Sequence, residues 1–399
     1  MAVAEEVVAA SSQNDAPTPI VDLPTEILSQ ILVRLPNIKC LLRAKLVCKS
    51  WFTLISSSEF THLYNLRHNN SLLVYPKFDL NCNLYLCAVE VNDNDFSKEE
   101  KIQLPPYLYD ELGFRMIVAS CNDLLLCIFG STSDSTLILL NPLTRLYRVI
   151  PRLYYDDNNF VIHGVGYDHI KDDYIVFILS SDRRTTANAD VFLYSLRDES
   201  WQRKCYLNNQ EITTLSGYFC PNFWMISRNL KPTVVANCLL HFVYECKKVV
   251  SFNVCNGNWS EIPAPGVESN IKDIGVLDGY LSVLAGKGSR DGVSSPGFKL
   301  WVMKEYGVKE SWVLLLSVSD LCPIRSSLTS IPLAISSDKN EILLHFKHDH
   351  WKFSYVWYNL KEKKTRKTQI GPWEEYVSIK STFPVTDITN KFNKKKQGA

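Results

Sequence analysis

Neither sign of charge is in excess: 43 lysines and arginines face 42 aspartates and glutamates over 399 positions. A chain so balanced lacks the basic footprint of a protein whose main task is binding nucleic acid. Long apolar runs are missing too. None approaches the ~20 residues that span a bilayer, so no membrane association is expected. The first residues carry Glu5 and Glu6 and no basic stretch, which is not the pattern of a secretory leader. No C-x-x-C pair occurs among the 12 cysteines. Cys82 with Cys87, and Cys121 with Cys127, are poorly spaced for zinc and have no histidine close by. A chain this long does not need disulfide staples, and Cys127, Cys238 and Cys255 sit in apolar, strand-like runs. Reduced, buried thiols in the cytoplasm or nucleus are therefore the expectation.

Catalytic signatures are equally scarce. There is no G-x-S-x-G elbow, no phosphate-binding loop, no H-E-x-x-H and no dinucleotide fingerprint. Asp156–Asp157 and Asp172–Asp173 are adjacent carboxylates. Consecutive residues of a strand point to opposite faces, so such pairs do not flank a substrate, and Asp172–Asp173 reads as a solvated turn. His345, His348 and His350 are spaced H-x-x-H-x-H, but with Asp349 among them and no cysteine they read as a polar hairpin tip. No catalytic residue, metal ligand or cofactor is assigned. Gly286–Gly297 (GKGSRDGVSSPG) lacks the Gly-Lys-Ser/Thr ending of a phosphate loop. It reads equally as a recognition loop or a plain connector. The run from Lys391 to Lys396 is basic and reads as a solvated end.

What the sequence does contain falls into two regions. Residues 1–19 are rich in Ala, Ser, Asn and Pro and are expected to form a tail. From Val21 to Phe60 apolar residues recur at helical spacing. Pro24 suits the first helical position, and Glu26 complements the helix dipole in the first turn. Ile27, Leu28, Ile31, Leu32 and Leu35 form the first stripe, and Pro36 ends it. Asn37 can cap a second helix carrying Leu41 and Leu42. Val47, Trp51, Leu54 and Ile55 mark a third, and Ser58 can cap a fourth with Phe60, Leu63 and Tyr64. About 40 residues in short helices cannot bury this much apolar surface alone, so part of it must face another surface. A neighbouring domain of the same chain and a second polypeptide satisfy that demand equally.

The LPTEI start, the ILVRLP middle and the LVCKSW end are similar to the F-box. The resemblance implies a helical module over residues 20–68 that docks on a Skp-type adaptor and, through it, on a cullin scaffold. Position by position, it implies an adaptor-binding set of Leu23, Pro24, Ile27, Leu28, Ile31, Leu32, Leu35, Leu41, Leu42, Val47, Cys48 and Trp51. Leu28, Leu32 and Trp51 are expected to be the main anchors, each contributing about 1.5 to 3 kcal/mol on burial.

From Ser71 onward helical periodicity gives way to short apolar strands and polar turns. One unit recurs: a short apolar run (MIVAS, HGVGYD, PTVVA, DIGVL, IPLAIS), then a hairpin (such as DLLLCIF with TLILLNPLTR), then a last strand. That strand opens on an aromatic at Tyr147, Trp201, Trp259 and Trp312, whereas Thr365 breaks the pattern. Four strands per unit suit a propeller blade. Ser71–Pro105 holds only three. The run Glu375–Phe383 can supply the fourth and close the ring, giving six blades. Two packed sheets are the rival architecture.

GVGYDHIKDDYIVFIL, LILLNPLTRLYRVIP and FKLWVMKEYGVKESWVLLLSV resemble the plant F-box-associated domain, the last in its S-locus F-box-like branch. The expected fold class is thus α+β multidomain: a short N-terminal helical F-box, an all-β propeller-like domain of six blades over residues 71–387, and a basic tail at 388–399. The resemblance implies a non-catalytic substrate receptor of a Skp–cullin–F-box ubiquitin ligase, which binds a protein target through its propeller loops. Its S-locus branch implies ribonucleases as a target class. A ligase-independent binding propeller and a propeller enzyme are the alternatives.

Overall fold

A computed structural model describes residues 23–380, except 36–37, 58, 61–62, 65–70, 79–83, 92–98, 123, 132–133, 154–158, 183–188, 208–232, 236–238, 245–247, 267–269, 287–297, 318–328, 337, 350–351 and 369–376. The chain divides into two units, residues 1–68 and 69–399.

In the first unit the apolar stripes become α1 (Thr25–Leu32), α2 (Ile38–Ala44) and α3 (Lys49–Ile55). Pro24 lies just before α1, its backbone extended, and its carbonyl accepts from the Leu28 amide at 2.9 Å. A missing N–H is harmless there. Cys48 precedes α3 with extended backbone. α3 packs on both α1 and α2. Beyond it, the Ser57 hydroxyl accepts from the Phe60 amide at 3.2 Å, and the Phe60 and Tyr64 rings stack with centroids 6.4 Å apart. The caps expected at Asn37 and Ser58 lie outside the described residues.

In the second unit, period-two alternation produces strands that bury both faces. Blade 1 holds β1 (Ser71–Phe78), β2 (Leu84–Val91) and the short β3 (Glu100–Lys101). A π-helical turn at Tyr107–Leu112 leads into blade 2: β4 (Phe114–Cys121), β5 (Leu124–Gly130), β6 (Ser135–Leu140) and β7 (Tyr147–Val149). Blade 3 is β8 (Asn159–Asp168), β9 (Asp173–Asp182), β10 (Ala189–Ser195) and β11 (Ser200–Leu207). Blade 4 is β12 (Thr233–Val235), β13 (Leu239–Tyr244), β14 (Lys248–Asn253) and β15 (Trp259–Ile262). Blade 5 is β16 (Asn270–Leu277), β17 (Tyr280–Gly286), β18 (Phe298–Met303) and β19 (Trp312–Ser317). Blade 6 is β20 (Thr329–Ile335), β21 (Glu341–Asp349), β22 (Lys352–Asn359) and β23 (Thr365–Lys367). Finally β24 (Val377–Lys380) returns to blade 1 and pairs antiparallel with β1, Val74 opposite Val377 and Ser71 opposite Lys380. The order β24-β1-β2-β3 completes that sheet. The C-terminal strand thus closes a six-bladed ring, as the sequence repeat predicts.

The innermost strands β24, β4, β8, β12, β16 and β20 neighbour one another in ring order. β12 also touches β4 by a parallel bridge, Thr233 to Ser120. Alternation along each strand divides its residues between two seams. Leu125 and Cys127 face the seam with blade 1, while Leu124 and Leu126 face the seam with blade 3. Tyr174 and Val176 join the latter, and Ile175 and Phe177 pack on blade 4 against Phe242 and Phe252. Leu281 and Val283 lie between blades 4 and 5 with Trp312, and Leu284 between blades 5 and 6. Leu343 and Trp357 of blade 6 meet Leu73 and Tyr75 of blade 1. Each seam is a separate apolar core, and no blade can satisfy both its faces alone.

In blades 3 and 5 the aromatic near the start of the outer strand has a structural task. The Trp201 indole donates to the Pro151 carbonyl at 2.8 Å, and the Trp312 indole donates to the Pro263 carbonyl at 2.7 Å. In both cases the acceptor ends the preceding blade.

Candidate docking surfaces

The twelve residues expected to contact an adaptor separate by exposure. Leu28, Leu32, Leu41 and Trp51 are buried. Leu23, Leu35, Leu42 and Cys48 are half-buried, and Pro24, Ile27, Ile31 and Val47 are exposed. On α1 the split follows helical geometry: Leu28 and Leu32 point inward at i and i+4, and Ile27 and Ile31 share the adjacent outward face. Three exposed apolar residues join them that the sequence reading did not assign to the docking set: Leu46 at 85% exposure, Phe52 at 47% and Leu63 at 49%. The helical pattern alone does not separate Phe52 from a core position. The Lys45 ammonium lies 5.4 Å from its ring centroid. Among the described residues the structure shows six large exposed hydrophobics between positions 27 and 63 and only seven in the whole ring. Cys48 accompanies this face. Its thiol lies 3.0 Å from the Ser50 hydroxyl, and this hydrogen bond, with backbone amides of α3, lowers its pKa from the ordinary thiol value.

The propeller has two rims. On one, first strands turn into second strands and third into fourth, and several of the described turns there are pinned by side chains. Asn141, Asn253 and Asn359 each follow or end a third strand. The side-chain oxygen of each accepts from the amides two and three residues on, at 2.8 to 3.3 Å. Residues four further on, Arg145, Gly257 and Lys363, all take positive φ. Asp168 does the same work at the β8–β9 turn, accepting from Ile170 and Lys171 at 3.0 and 3.1 Å. Residues 183–188, 208–232, 287–297 and 318–328, which follow second and fourth strands in the chain, lie outside the described residues. Gly286 ends β17, and the rest of the Gly286–Gly297 stretch lies outside the described residues.

The carboxylates weighed for chemistry are structural where they are described. Asp172 takes positive φ in the β8–β9 turn and bonds the Tyr167 hydroxyl. Asp173 is not solvated as expected. It is buried, accepting from the Ser195 hydroxyl and, at 2.9 Å, from the Arg197 amide. Burial raises its pKa, and the Ser195 bond opposes that shift. Its burial has a topological cause: Asp173 begins β9, next to the β10–β11 turn that needs an acceptor. Asp156–Asp157 lie outside the described residues. So do His350 and the side chains of His345 and His348, whose backbone belongs to β21. No metal-binding group of His, Cys, Asp or Glu occurs among the described residues, and no helix there is long and apolar enough to cross a membrane. Cys40, Cys48, Cys87, Cys121, Cys127 and Cys255 are reduced, outside any disulfide. Burial pushes the Cys127 thiol up, and the Cys87 thiol up to about 12. Cys255 lies in the turn after β14 rather than in a strand, its amide bonded to Asn253. Cys238 lies outside the described residues.

A family model described as the F-box associated beta propeller domain matches residues 92–392, and one described as F-box-like matches residues 20–65. The chain belongs to the F-box-associated β-propeller family. Its relatives include three F-box proteins of Arabidopsis thaliana. F-box protein CPR1 is 24% identical, with 86% of this chain and 83% of the relative covered. F-box protein At4g22390 is 25% identical, with 86% and 84% covered. F-box protein At5g49610 is 28% identical, with 75% and 79% covered. This F-box-associated chain therefore joins an F-box to a six-bladed propeller, the two-part architecture of a recognition protein.

Proposed function

We propose that this chain is the substrate receptor of a Skp–cullin–F-box ubiquitin ligase. The observation that carries the reading is the concentration of exposed apolar side chains on a helical unit too small to bury them: Ile27, Ile31, Leu46, Val47, Phe52 and Leu63. A Skp-type adaptor is the partner whose apolar groove completes that face, and the cullin follows through the adaptor. The docking set is the exposed and half-buried part of the family match, with Leu28, Leu32, Leu41 and Trp51 holding the module in shape from inside. The propeller presents a protein target. The S-locus-like character of Phe298–Val318 favours a ribonuclease as that target. Catalysis by this chain is not required. Holding target lysines near a charged conjugating enzyme raises their effective concentration, and that is the whole contribution. The cytoplasm and nucleus are the compartments proposed for this work.

The test separates docking from folding. Val47→Asp with Phe52→Asp places two carboxylates in the apolar face without touching the buried residues. A recombinant Skp-type adaptor should co-purify with the native full chain and not with this double variant, while the circular dichroism of the two proteins coincides. Undiminished co-purification would defeat the proposal.

A further inference from the structure

The six outer strands of the ring occupy equivalent positions, which makes them a controlled comparison. An outer strand has one row of unpaired backbone groups, and proteins guard such edges with charge or brevity. Five of the six follow this rule. β3 is Glu100–Lys101, both exposed. β7 has three residues, and Arg148 pairs with Glu199 at 2.6 Å. β11 exposes Gln202, Arg203 and Lys204, with Arg203 paired to Asp190. β15 exposes Glu261, paired to Lys248 at 2.9 Å. β23 carries Arg366, paired to Glu341 at 2.7 Å. β19 has neither charge nor brevity, and a bulge is its one guard. Its six residues, WVLLLS, contain no charge, and Val313 and Leu314 are 45% and 41% exposed. Among the described residues nothing pairs beyond it. A bulge at Leu315 shifts the register between Leu314 and Leu316, and bulges recur where an edge re-aims its side chains.

We propose that the outer edge of blade 5 is a docking site for an extended, apolar segment of a partner protein, which adds to the sheet as a fifth strand. Main-chain hydrogen bonds supply the affinity, and Val313 and Leu314 select apolar side chains. A second copy of this chain is not the occupant: two six-residue edges with two exposed apolar residues apiece bury far less than the roughly 1,200 Å² of a stable pair. A flexible segment needs no such flat contact. Charge favours a carboxylate at one end of it, because exposed Lys299 sits opposite Ser317 and makes no ion pair among the described residues. The inference does not depend on adaptor docking, since the residues that test that reading belong to the other unit.

The experiment selects binders to the full-length protein from a random twelve-residue peptide display library and resynthesises them. The expected binders are extended and apolar, with an acidic residue near one end. Leu314→Lys should weaken them roughly tenfold or more, the factor that corresponds to losing one buried aliphatic contact. N-methylating alternate amides of the peptide, which leaves the protein untouched, should weaken binding as much. Equal affinity for Leu314→Lys, indifference to N-methylation, or no binders at all would each overturn the proposal. So would a dimer in light scattering that Leu314→Lys dissolves, because the edge would then be taken by a second copy.

Discussion

Asp338 shows what a single residue contributes at a turn. It lies between β20 and β21, accepting from the Ser336 hydroxyl at 2.6 Å and from the Asn340 amide at 3.0 Å. These bonds, the Ser336 one foremost, lower its carboxyl pKa from 3.8 to about 2. The ionised form is therefore the one the fold prefers. Its contribution is complete above 3.8, the unfolded-state value, and disappears as pH falls through about 2. Asp338→Asn lacks that dependence. The difference in Tm between wild type and Asp338→Asn should be largest near neutrality and shrink as pH is lowered from about 4 to about 2. Thermal melts across that window decide it, and a pH-independent difference would contradict the assignment.

Gly130 makes the corresponding argument for an element, the hairpin of β5 and β6. Its φ is +92°, and its amide donates to the Gly113 carbonyl at 2.9 Å. A Cβ at this position would run into the Asp134 carbonyl oxygen, a backbone atom that cannot swing aside. At Gly279, also at positive φ, a Cβ would meet nothing. Gly130→Ala should therefore cost more than Gly279→Ala, about 2 to 3 kcal/mol against about 1. Urea unfolding of the two variants measures the gap, and equal losses would remove the steric part of the argument. Neither hairpin was hidden in the sequence. The uninterrupted apolar runs in DLLLCIF and TLILL mark both strands of the first, because a strand with two buried faces demands apolar residues throughout. The outer aromatics were legible as a repeat, but their role was not: the bond from Trp312 to Pro263 joins residues 49 apart in the chain and exists only once blades 4 and 5 are side by side. The π-helical turn at Tyr107–Leu112 was not foreseen for the same reason. The Tyr109 hydroxyl donates to the Ile102 carbonyl at 3.1 Å and accepts from the Leu86 amide at 3.3 Å, tertiary contacts with no periodic signature. On the helical unit, spacing marks every apolar residue of α1 but does not say which face turns outward: Leu28 and Leu32 are buried, and Ile27 and Ile31 are exposed.

At the scale of the whole molecule, six seams share their load around a ring, and one of them depends on the end of the chain. The seam of blades 6 and 1 contains Leu73, Tyr75, Val89, Leu343 and Trp357, and β24 supplies the inner strand of blade 1 beside it. Remove β24 and β1 becomes an inner edge, with backbone groups that paired to Val377–Lys380 left for water. Because every blade leans on two neighbours, a gap at one seam cannot stay local. A chain ending at residue 376 should lose its cooperative thermal transition and expose apolar surface to a dye such as ANS. A chain ending at residue 387 keeps the strand and removes only the basic tail, so its melt should overlay that of the full chain. If the two truncations melt alike, closure by the C-terminal strand is not what holds the ring. If only the shorter one fails, then the recognition surface, wherever a target binds on it, depends on the last strand the chain adds.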